Sequence, residues 1–233
     1  MPSQPTLEKV SAESQERANP SLRNPNWLVL RHRRRIIAEG LKSLPANDLA
    51  VLDVGGRLQP YRRLLGTRVK NYVAIDPQLT PLVNVAARAE GLPFREAQFD
   101  FVICTQVLEY LPEPARAVDE IRRVLRTGGY AFISVPSVFV RDCDREYWRF
   151  LPEGLRHLLR NFTEVKVIPE GNSIAGFFRT LNVLLTSFAR PRFLLPALTW
   201  TLVPVLNVAG GITEKLGGSG DHFSANLSAW VRK

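Results

Sequence analysis

Cysteine, histidine and methionine are scarce in this chain, and their scarcity excludes several kinds of chemistry. Among 233 residues there are two cysteines, three histidines and one methionine. Cys104 and Cys143 cannot make a disulfide framework, which indicates a reducing, cytoplasmic compartment. The cysteines and histidines also lack the spacing of a zinc or iron site. The sequence therefore predicts neither a metal nor a disulfide scaffold.

The start of the chain has no apolar core of the kind that a secretory signal needs. Residues 1–24 are rich in Ser, Gln, Glu and Pro, a composition typical of disorder, so we expect a disordered leader there. Residues 25–233 are enough for one α/β domain, and 45% of the chain is hydrophobic, which suffices for a core.

Acidic residues are outnumbered, 22 against 31 basic ones, which gives a net charge of +9. Such a charge favours an anionic partner, which can be nucleic acid, a phospholipid surface or an acidic substrate. Arg31–Arg35 fall on a helix predicted over Trp27–Leu44, where they form either a solvated face or a contact with phosphates. No aromatic residues are interleaved with them to stack on bases, so nucleic acid is the disfavoured partner.

Two short apolar runs that contain acids organise the sequence, Ala50–Gly56 and Tyr72–Asp76. Uninterrupted apolar runs are typical of neighbouring parallel strands that are buried on both faces. Ligands of such sheets bind beyond the carboxyl ends of the strands, where Asp53 and Asp76 fall. A carboxylate there can accept both hydroxyls of a ribose, so the pair predicts a nucleoside-bearing ligand.

The glycines of the first run are too few for a dinucleotide site. That site needs G-x-G-x-x-G at the start of a helix, so that amides and the helix dipole meet a pyrophosphate. Here the glycines stop at Gly56, and Asp53 would repel a phosphate. S-adenosylmethionine has no phosphate and carries an ammonium and a sulfonium, which an acid attracts. The charges therefore favour this methyl donor over a nicotinamide cofactor, and a dehydrogenase is the weaker alternative.

Further apolar runs alternate with helical patterns along the rest of the chain. Strands are predicted over residues 82–86, 99–104, 130–135, 164–168 and 223–231. Between them, helical spacing predicts helices after Pro112 and over Glu153–Arg160. Strand–helix–strand repetition with short connections is the pattern of a doubly wound α/β sheet.

Six blocks of this sequence resemble the class I S-adenosylmethionine-dependent methyltransferases, in the methyltransferase type 11 branch. Besides the first strand and its glycines, the blocks are Leu92–Phe94, Phe99–Val102, Val107–Leu111, Glu120–Gly129 and Ser134–Pro136. They follow one another in the family's order over about residues 48–170. The resemblance implies S-adenosylmethionine as cofactor and a Rossmann-like sheet of seven mostly parallel strands whose last strand is antiparallel.

Position by position, the resemblance assigns three parts of the cofactor to residues of this chain. The methionine part is lined by Asp53, Gly55 and Gly56, and the ribose is held by Asp76. The adenine is bordered by Arg88, Ala89 and Glu90, and the pocket floor is closed by Thr105 and Gln106.

Three residues depart from the family's pattern. Arg57 and Gln59 stand where glycines are usual, and Arg88 stands where an acid accepts the adenine amino group. An arginine has no acceptor, so Arg88 either stacks on the adenine or turns outward. These departures leave open a non-catalytic member of the fold that serves as a binding or membrane scaffold.

Candidates for the acceptor side lie in two loops. Residues 141–150 resemble a segment of methyltransferases associated with bacterial surface polysaccharides and lipids, which implies a small acceptor, a sugar or lipid-linked glycan hydroxyl. Asp144 and Tyr147 are candidates for orienting it, although the aromatic residues of this segment can also simply pack on the next helix. His222 is a candidate general base, because histidine titrates near neutral pH. An RNA methyltransferase that uses Arg31–Arg35 is a further alternative.

The segment 174–213 is longer and more apolar than a connection requires, and it predicts a hydrophobic helical insertion before the last strand. Residues 193–213 carry no charge and approach the length of a membrane span, but Pro196 and Pro204 disfavour a regular one. One interpretation is shallow insertion into an anionic membrane surface through Arg190, Arg192 and residues 193–213. The other is a lid over the substrate or a dimer surface.

Overall fold

The computed structural model describes residues 5–45, 47–138, 140–141, 143–189, 192–216 and 220–233. Six strands form its sheet: β1 (Leu49–Val54), β2 (Val69–Ile75), β3 (Phe99–Thr105), β4 (Leu125–Pro136), β5 (Glu164–Pro169) and β6 (Asn226–Arg232). The helices are α1 (Leu7–Ala18), α2 (Trp27–Gly40), α3 (Arg62–Leu65), α4 (Pro114–Val124), α5 (Pro152–Leu158), α6 (Ser173–Phe188), α7 (Leu194–Trp200) and α8 (Leu202–Leu216). Short 3₁₀ helices cover Leu41–Ser43, Gly66–Arg68 and Leu108–Tyr110.

The sheet has the strand order β2-β1-β3-β4-β6-β5. β1 pairs in parallel with β2 and with β3, and β3 pairs in parallel with β4. β6 runs antiparallel to both β4 and β5. The Rossmann-like α/β fold and the antiparallel last strand are thereby confirmed.

The predicted count of seven strands is wrong, since the sheet has six. Residues 82–86 were expected to form the third strand, but they make a single bridge, between Val85 and Ile75. The amides of Asn84 and Val85 donate to the Ala74 carbonyl, and the Asn84 side chain accepts from the Ala74 amide. Because the Asn84 side chain takes the donor that a longer ladder would use, pairing stops there and the segment remains a loop beside β2.

The two faces of the sheet are covered by different helices. On one face α4 and α5 bury Val118, Ile121 and Leu155 in the larger hydrophobic cluster. On the other face α2 buries Ile36 and Ile37. The Trp230 ring stacks there on Phe101, with 5.4 Å between the ring centroids. Burial on both faces explains why the central strands are continuous apolar runs.

The predicted disordered leader differs from the structure, in which residues 7–18 form α1. Thr6 caps this helix, because its side chain accepts from the Lys9 amide. Val10 and Ala18 are buried, and Arg63 donates to Gln15. The polar composition of the segment concealed these few contacts, which fix it to the rest of the chain.

The basic run on α2 does not form one solvated face. Arg33 is buried, and so is His32, whose Nε2 lies 2.7 Å from a carboxylate oxygen of Glu214 on α8. Arg31 also pairs with Glu214. Only Arg34 and Arg35 are exposed. A phosphate contact along the whole run is therefore contradicted, because α8 and the sheet cover half of it.

The predicted hydrophobic insertion forms α6, α7 and α8, and one side of it packs on α2. The Asn182 side chain of α6 donates to Asn207 of α8 at 2.9 Å in the interior. Asn207 in turn donates to the Leu22 and Asn24 carbonyls. Gly210 allows close packing, since a Cβ atom there would lie 2.9 Å from Leu28 and from Phe178. The insertion is thus fixed to the domain by polar and close-packed contacts.

The opposite side of the insertion is apolar and exposed. Among the described residues, one helical segment, Leu194–Leu216, is long and apolar enough to cross a membrane, although the helix is interrupted at Thr201, between α7 and α8. Trp200 is 63% exposed, Val205 62% and Ile212 55%. The Arg23 guanidinium lies 3.3 Å from the centre of the Trp200 ring. Arg192 is exposed, and Arg190 lies outside the described residues.

Candidate functional site

The turn that follows β1 depends on glycine. Gly55 has φ +77°, and a Cβ atom there would lie 2.3 Å from Val107 Cγ2. The amides of Gly55 and Gly56 both donate to the Ile75 carbonyl at 2.9 Å. These glycines therefore bind the end of β1 to the end of β2, which brings their two acids into one region of the protein.

Asp53 at the end of β1 is buried and accepts a 2.6 Å hydrogen bond from the Tyr72 hydroxyl. Burial raises the pKa of Asp53 to about 7; the Tyr72 hydrogen bond lowers it, and the nearby Asp76 carboxyl raises it. Its carboxyl is thus engaged within the protein, and its contact with the methionine part of a cofactor remains a prediction.

Asp76, which directly follows β2, is half-buried, and burial raises its pKa. Its Oδ1 accepts from the Gln78 amide at 2.8 Å. Its other oxygen accepts no hydrogen bond from the part of the chain that the structure describes. Arg57 donates to Gln78 beside it. Asp76 thus retains an acceptor that can bind a ribose hydroxyl.

The residues predicted to border an adenine have a distinct arrangement. Ala89 is buried, and Arg88 is exposed and forms a 3.0 Å ion pair with Glu90. Glu90 is mostly buried, and its Oε2 has no hydrogen-bond partner among the described residues. A buried acceptor without a donor fits an adenine amino group. Glu90 thus offers the acceptor that Arg88 lacks, so the residues present fit the nucleoside end of the cofactor.

Gln106 follows Thr105 at the end of β3, and φ is +54° at this residue. Its amide donates to the Ser134 carbonyl at 2.8 Å, and its side chain donates to Ser134 Oγ at 3.2 Å. The side-chain amide of Asn226 lies 3.2 Å away. These contacts hold Gln106 in an unusual backbone conformation at the carboxyl end of β3.

A buried ion pair between Arg33 and Glu170 is linked to Gln106 through the Ser134 hydroxyl. Arg33 Nε lies 2.9 and 3.0 Å from the two carboxylate oxygens of Glu170. Ser134 and Ser228 donate to the same carboxylate at 2.7 and 2.6 Å. Burial lowers the pKa of Arg33, but Glu170 and Tyr61 raise it more, so it stays charged. This cluster has no signal in the sequence, where Arg33 is one of several basic residues on a predicted helix.

A cavity of about 280 Å³ opens at the ends of β3 and β4. It is walled by α1, α2 and α6 and by the segment after β3, through residues that include Glu13, Arg33, Gln106, Glu109 and Arg179. Arg179 donates to Asn26 at 2.9 Å. Burial and the positive charge of Arg33 lower the pKa of Arg179 to about 9. Gln106 thus belongs both to the predicted cofactor pocket and to this cavity.

Glu109 is the buried acid of the cavity and is only 1% exposed. Its carbonyl accepts from the Tyr147 and Trp148 amides at 2.8 and 3.3 Å, and its Oε2 has no hydrogen-bond partner within the described ranges. Burial raises the pKa of Glu109 to about 8; Glu146 raises it as well, whereas Arg33 and Arg149 lower it. In the sequence this residue is visible only as part of a family block, because its burial depends on how the chain folds.

The three predicted catalytic residues lie elsewhere. Asp144 is 93% exposed and pairs with Arg141 at 3.3 Å. Tyr147 and His222 are also exposed. None of the three is among the described residues that line the cavity. Their roles remain predictions.

Comparison with known proteins gives one family and several related folds. Residues 52–133 match a family described as "Methyltransferase domain". The ubiquinone biosynthesis O-methyltransferase of Xanthomonas oryzae pv. oryzae is 29% identical over 128 residues, which are 52% of this chain and 50% of that protein. The first curated relatives are thus matched over half of their own length or less.

Solved structures share the fold over more of the chain. The 1,6-didemethyltoxoflavin-N1-methyltransferase of Burkholderia thailandensis, solved with S-adenosylhomocysteine, is 20% identical, with a TM-score of 0.51 over 85% of this chain and 77% of that one. The [4+2]-cyclase SpnF is 18% identical, with a TM-score of 0.53 over 100% of this chain and 98% of that one. At these identities the likeness concerns the fold alone.

Proposed function

Since this chain belongs to the class I S-adenosylmethionine-dependent methyltransferases, we propose that it methylates a small acceptor held in the cavity beside Gln106. The observation that carries the proposal is that Gln106, which is predicted to close the floor of the cofactor pocket, lines the cavity. When bound, S-adenosylmethionine supplies a methyl group activated by a positively charged sulfur. Asp76 would hold its ribose and Glu90 its adenine amino group.

The proposed acceptor is a hydroxyl of a sugar or of a lipid-linked glycan. Charged and amide side chains line the cavity, among them Arg33, Gln106 and Arg179, and such groups suit an acceptor with several hydroxyls. The resemblance of residues 141–150 to segments of surface-glycan methyltransferases supports the same class of acceptor. Asp144 and Tyr147 would then contact parts of the acceptor outside the cavity.

The proposed place of action is the cytoplasmic face of an anionic membrane. The exposed side of α7 and α8 presents Trp200, Val205 and Ile212, and aromatic and aliphatic residues of this kind insert into the headgroup region. Arg192 and Arg23 lie near the same segment in sequence or in space and would contact anionic headgroups. A membrane-apposed enzyme is suited to a lipid-linked acceptor.

Isothermal titration with S-adenosylmethionine and S-adenosylhomocysteine tests the cofactor. The wild-type chain is expected to bind both, and Asp76→Asn is expected to bind at least 10-fold more weakly, because it removes a charged acceptor. Asp48→Asn is the matched control, since Asp48 is 79% exposed and precedes β1 at the opposite end. No heat from either ligand at millimolar concentration would remove the proposal.

A second candidate is a protein that keeps this fold without transferring a methyl group. The Gly55 and Gly56 amides are both used within the protein, and one structural neighbour is described as a [4+2]-cyclase. Binding of S-adenosylhomocysteine together with no methyl transfer to sugars, lipid-linked glycans or RNA would favour this candidate. An RNA acceptor is disfavoured, because Arg33 of the basic run is buried.

A further inference from the structure

We propose that Glu109 is the catalytic residue that takes the proton from the acceptor hydroxyl. The inference rests on the proposed function and assigns a general base other than His222, the candidate that the sequence offers. It replaces none of the contacts predicted for the cofactor, because Glu109 is not among the residues predicted to bind it.

The position of Glu109 is fixed by the backbone. The 3₁₀ helix Leu108–Tyr110 begins three residues after β3 ends, so Glu109 stands at the carboxyl end of the sheet. Two amides, those of Tyr147 and Trp148, hold its carbonyl. Glu109 lines the cavity, and so does Gln106, three residues earlier. A group fixed by its neighbours on both sides meets the geometric demand of general base catalysis.

The burial of this carboxyl is only partly compensated within the protein, by a hydrogen bond with the backbone of Glu109 itself that lowers its pKa. Glu109 is 1% exposed, and its Oε2 lacks a hydrogen-bond partner in the described part of the chain. An apolar residue would avoid the cost of burying an acid without a donor. A bound hydroxyl supplies the missing donor. The unpaired Oε2 therefore indicates a role in the function of the cavity and not in the stability of the fold.

The charged groups around Glu109 influence the pH at which its carboxyl can accept a proton. Arg33 of α2 and Arg149 of the segment before α5 are positive, Glu146 is negative, and the Cys104 thiol at the end of β3 is also buried nearby. Burial nevertheless raises the pKa of Glu109 to about 8. The basic form therefore becomes common only as the pH rises toward 8, and its affinity for a proton then exceeds that of an ordinary glutamate.

The proton and the methyl group move in one balanced exchange. The acceptor oxygen forms a bond to the methyl carbon as the carbon–sulfur bond of S-adenosylmethionine breaks, and that electron pair remains on sulfur. The O–H proton of the acceptor passes to the Glu109 carboxylate, which later releases it to water. No oxidant, reductant or metal is needed for this balance.

Glu109→Gln is the test, because it keeps the size and burial of the side chain and removes its basicity. The matched control is Glu113→Gln, since Glu113 lies four residues farther along and its side chain is 64% exposed. Methyl transfer is measured from S-adenosylmethionine carrying a labelled methyl group to a panel of methyl glycosides, between pH 6 and pH 9. Wild type and Glu113→Gln are expected to gain rate up to about pH 8. Glu109→Gln is expected to lose at least about 100-fold and to show no such rise.

Two further measurements do not depend on turnover. Calorimetry with S-adenosylhomocysteine is expected to give equal affinity for wild type and Glu109→Gln. Carbon NMR of protein labelled at the glutamate carboxyls is expected to show one resonance that titrates near pH 8, is absent from Glu109→Gln and shifts when a methyl glycoside binds.

The outcomes separate the two proposals. A rate of methyl transfer by Glu109→Gln within threefold of the wild-type rate would overturn the role of Glu109 alone. A Glu109 resonance whose chemical shift does not change with any glycoside would do the same. If wild type binds no S-adenosylhomocysteine, the proposed function itself fails. Glu109→Asp guards against misfolding, because it keeps the carboxyl and is expected to retain part of the rate and the rise with pH.

Discussion

The Tyr72 hydroxyl donates a 2.6 Å hydrogen bond to Oδ2 of Asp53, in the buried layer between β1 and β2. Tyr72 thus supplies the donor that a buried carboxyl needs. Without that donor, burial would raise the pKa of Asp53 still further above its value of about 7. The acid at the end of β1 is therefore used within the protein's interior, while Asp76 at the end of β2 retains an oxygen for a ligand.

Tyr72→Phe is expected to destabilise the chain, because it leaves the Asp53 carboxyl buried without its hydroxyl donor. We expect the free energy of unfolding at pH 7.5 to fall by about 1–3 kcal/mol, measured by urea denaturation. Tyr130→Phe is the control, since the Tyr130 hydroxyl makes no hydrogen bond to any described residue. Equal stability of the two variants would contradict this role of Tyr72.

The stability of the chain is expected to fall as the pH rises from about 4 to 8. Burial raises the pKa of Asp53 from 3.8 to about 7 and that of Glu109 from 4.5 to about 8. In this window the folded chain keeps protons that the unfolded chain releases, so the free energy of unfolding decreases with pH. Urea denaturation at several pH values measures the slope.

Glu109→Gln isolates one contribution to that slope, because the amide does not titrate. The free energy of unfolding of this variant is expected to fall less steeply between pH 4.5 and 8 than that of wild type. Other groups titrate equally in both proteins and cancel in the difference. Parallel curves would show that the pKa of Glu109 is close to its ordinary value.

Most of the sheet could be predicted from the sequence, because its strands are buried on both faces. β1, β3 and the second half of β2, from Tyr72 to Ile75, are mostly apolar runs, and their order and direction follow from the strand–helix–strand pattern. Residues 82–86 were misread, because a short apolar run does not show whether its amides will be paired. In this segment the Asn84 side chain prevents a longer ladder, because it accepts the hydrogen bond of the Ala74 amide.

The floor of the candidate site could not be predicted. Arg33 and Glu170 are 137 residues apart in sequence, and only folding shows that one arginine of a basic run turns inward. Glu109 was visible in a family block, yet its exposure and its missing donor depend on three other segments. The sequence therefore located the strand ends that hold the site, and the structure identified which charged side chains fill it.

Arg33 is expected to be essential for folding stability, unlike its neighbour Arg34. Arg33→Met leaves the Glu170 carboxylate buried without its cation, and we expect a loss of about 3–5 kcal/mol in the free energy of unfolding. Arg34→Met is the matched control, since Arg34 is exposed on the same helix, and its effect should stay within about 0.5 kcal/mol.

The cause of that loss can be checked with a double variant. Arg33→Met combined with Glu170→Gln removes the uncompensated charge, so it is expected to recover part of the stability lost by Arg33→Met alone. Additive losses would mean that packing of the arginine, and not its pairing with Glu170, is what matters.

Binding to an anionic membrane surface is expected to depend on the exposed side of α8. Val205 and Ile212 lie seven residues apart on this helix and are both more than half exposed, so Val205→Glu and Ile212→Glu should leave the free energy of unfolding nearly unchanged. Each charge opposes insertion into the headgroup region and is repelled by anionic lipid. Co-sedimentation with vesicles containing phosphatidylglycerol is expected to fall at least 10-fold, while affinity for S-adenosylhomocysteine stays the same.

Two comparisons separate this membrane contact from a surface between copies of the chain. Leu151→Glu adds the same charge at a residue that is 69% exposed and lies outside the insertion, so vesicle binding is expected to survive it. Vesicles of phosphatidylcholine alone should bind wild type more weakly, and added salt should weaken the difference, because the arginine contacts are screened. A wild-type chain that sediments as a dimer without lipid and becomes a monomer in Val205→Glu would instead assign this apolar side to self-association. The apolar side cannot be buried against a second copy and against lipid at once, so the dimer and the vesicle-bound form should exclude each other.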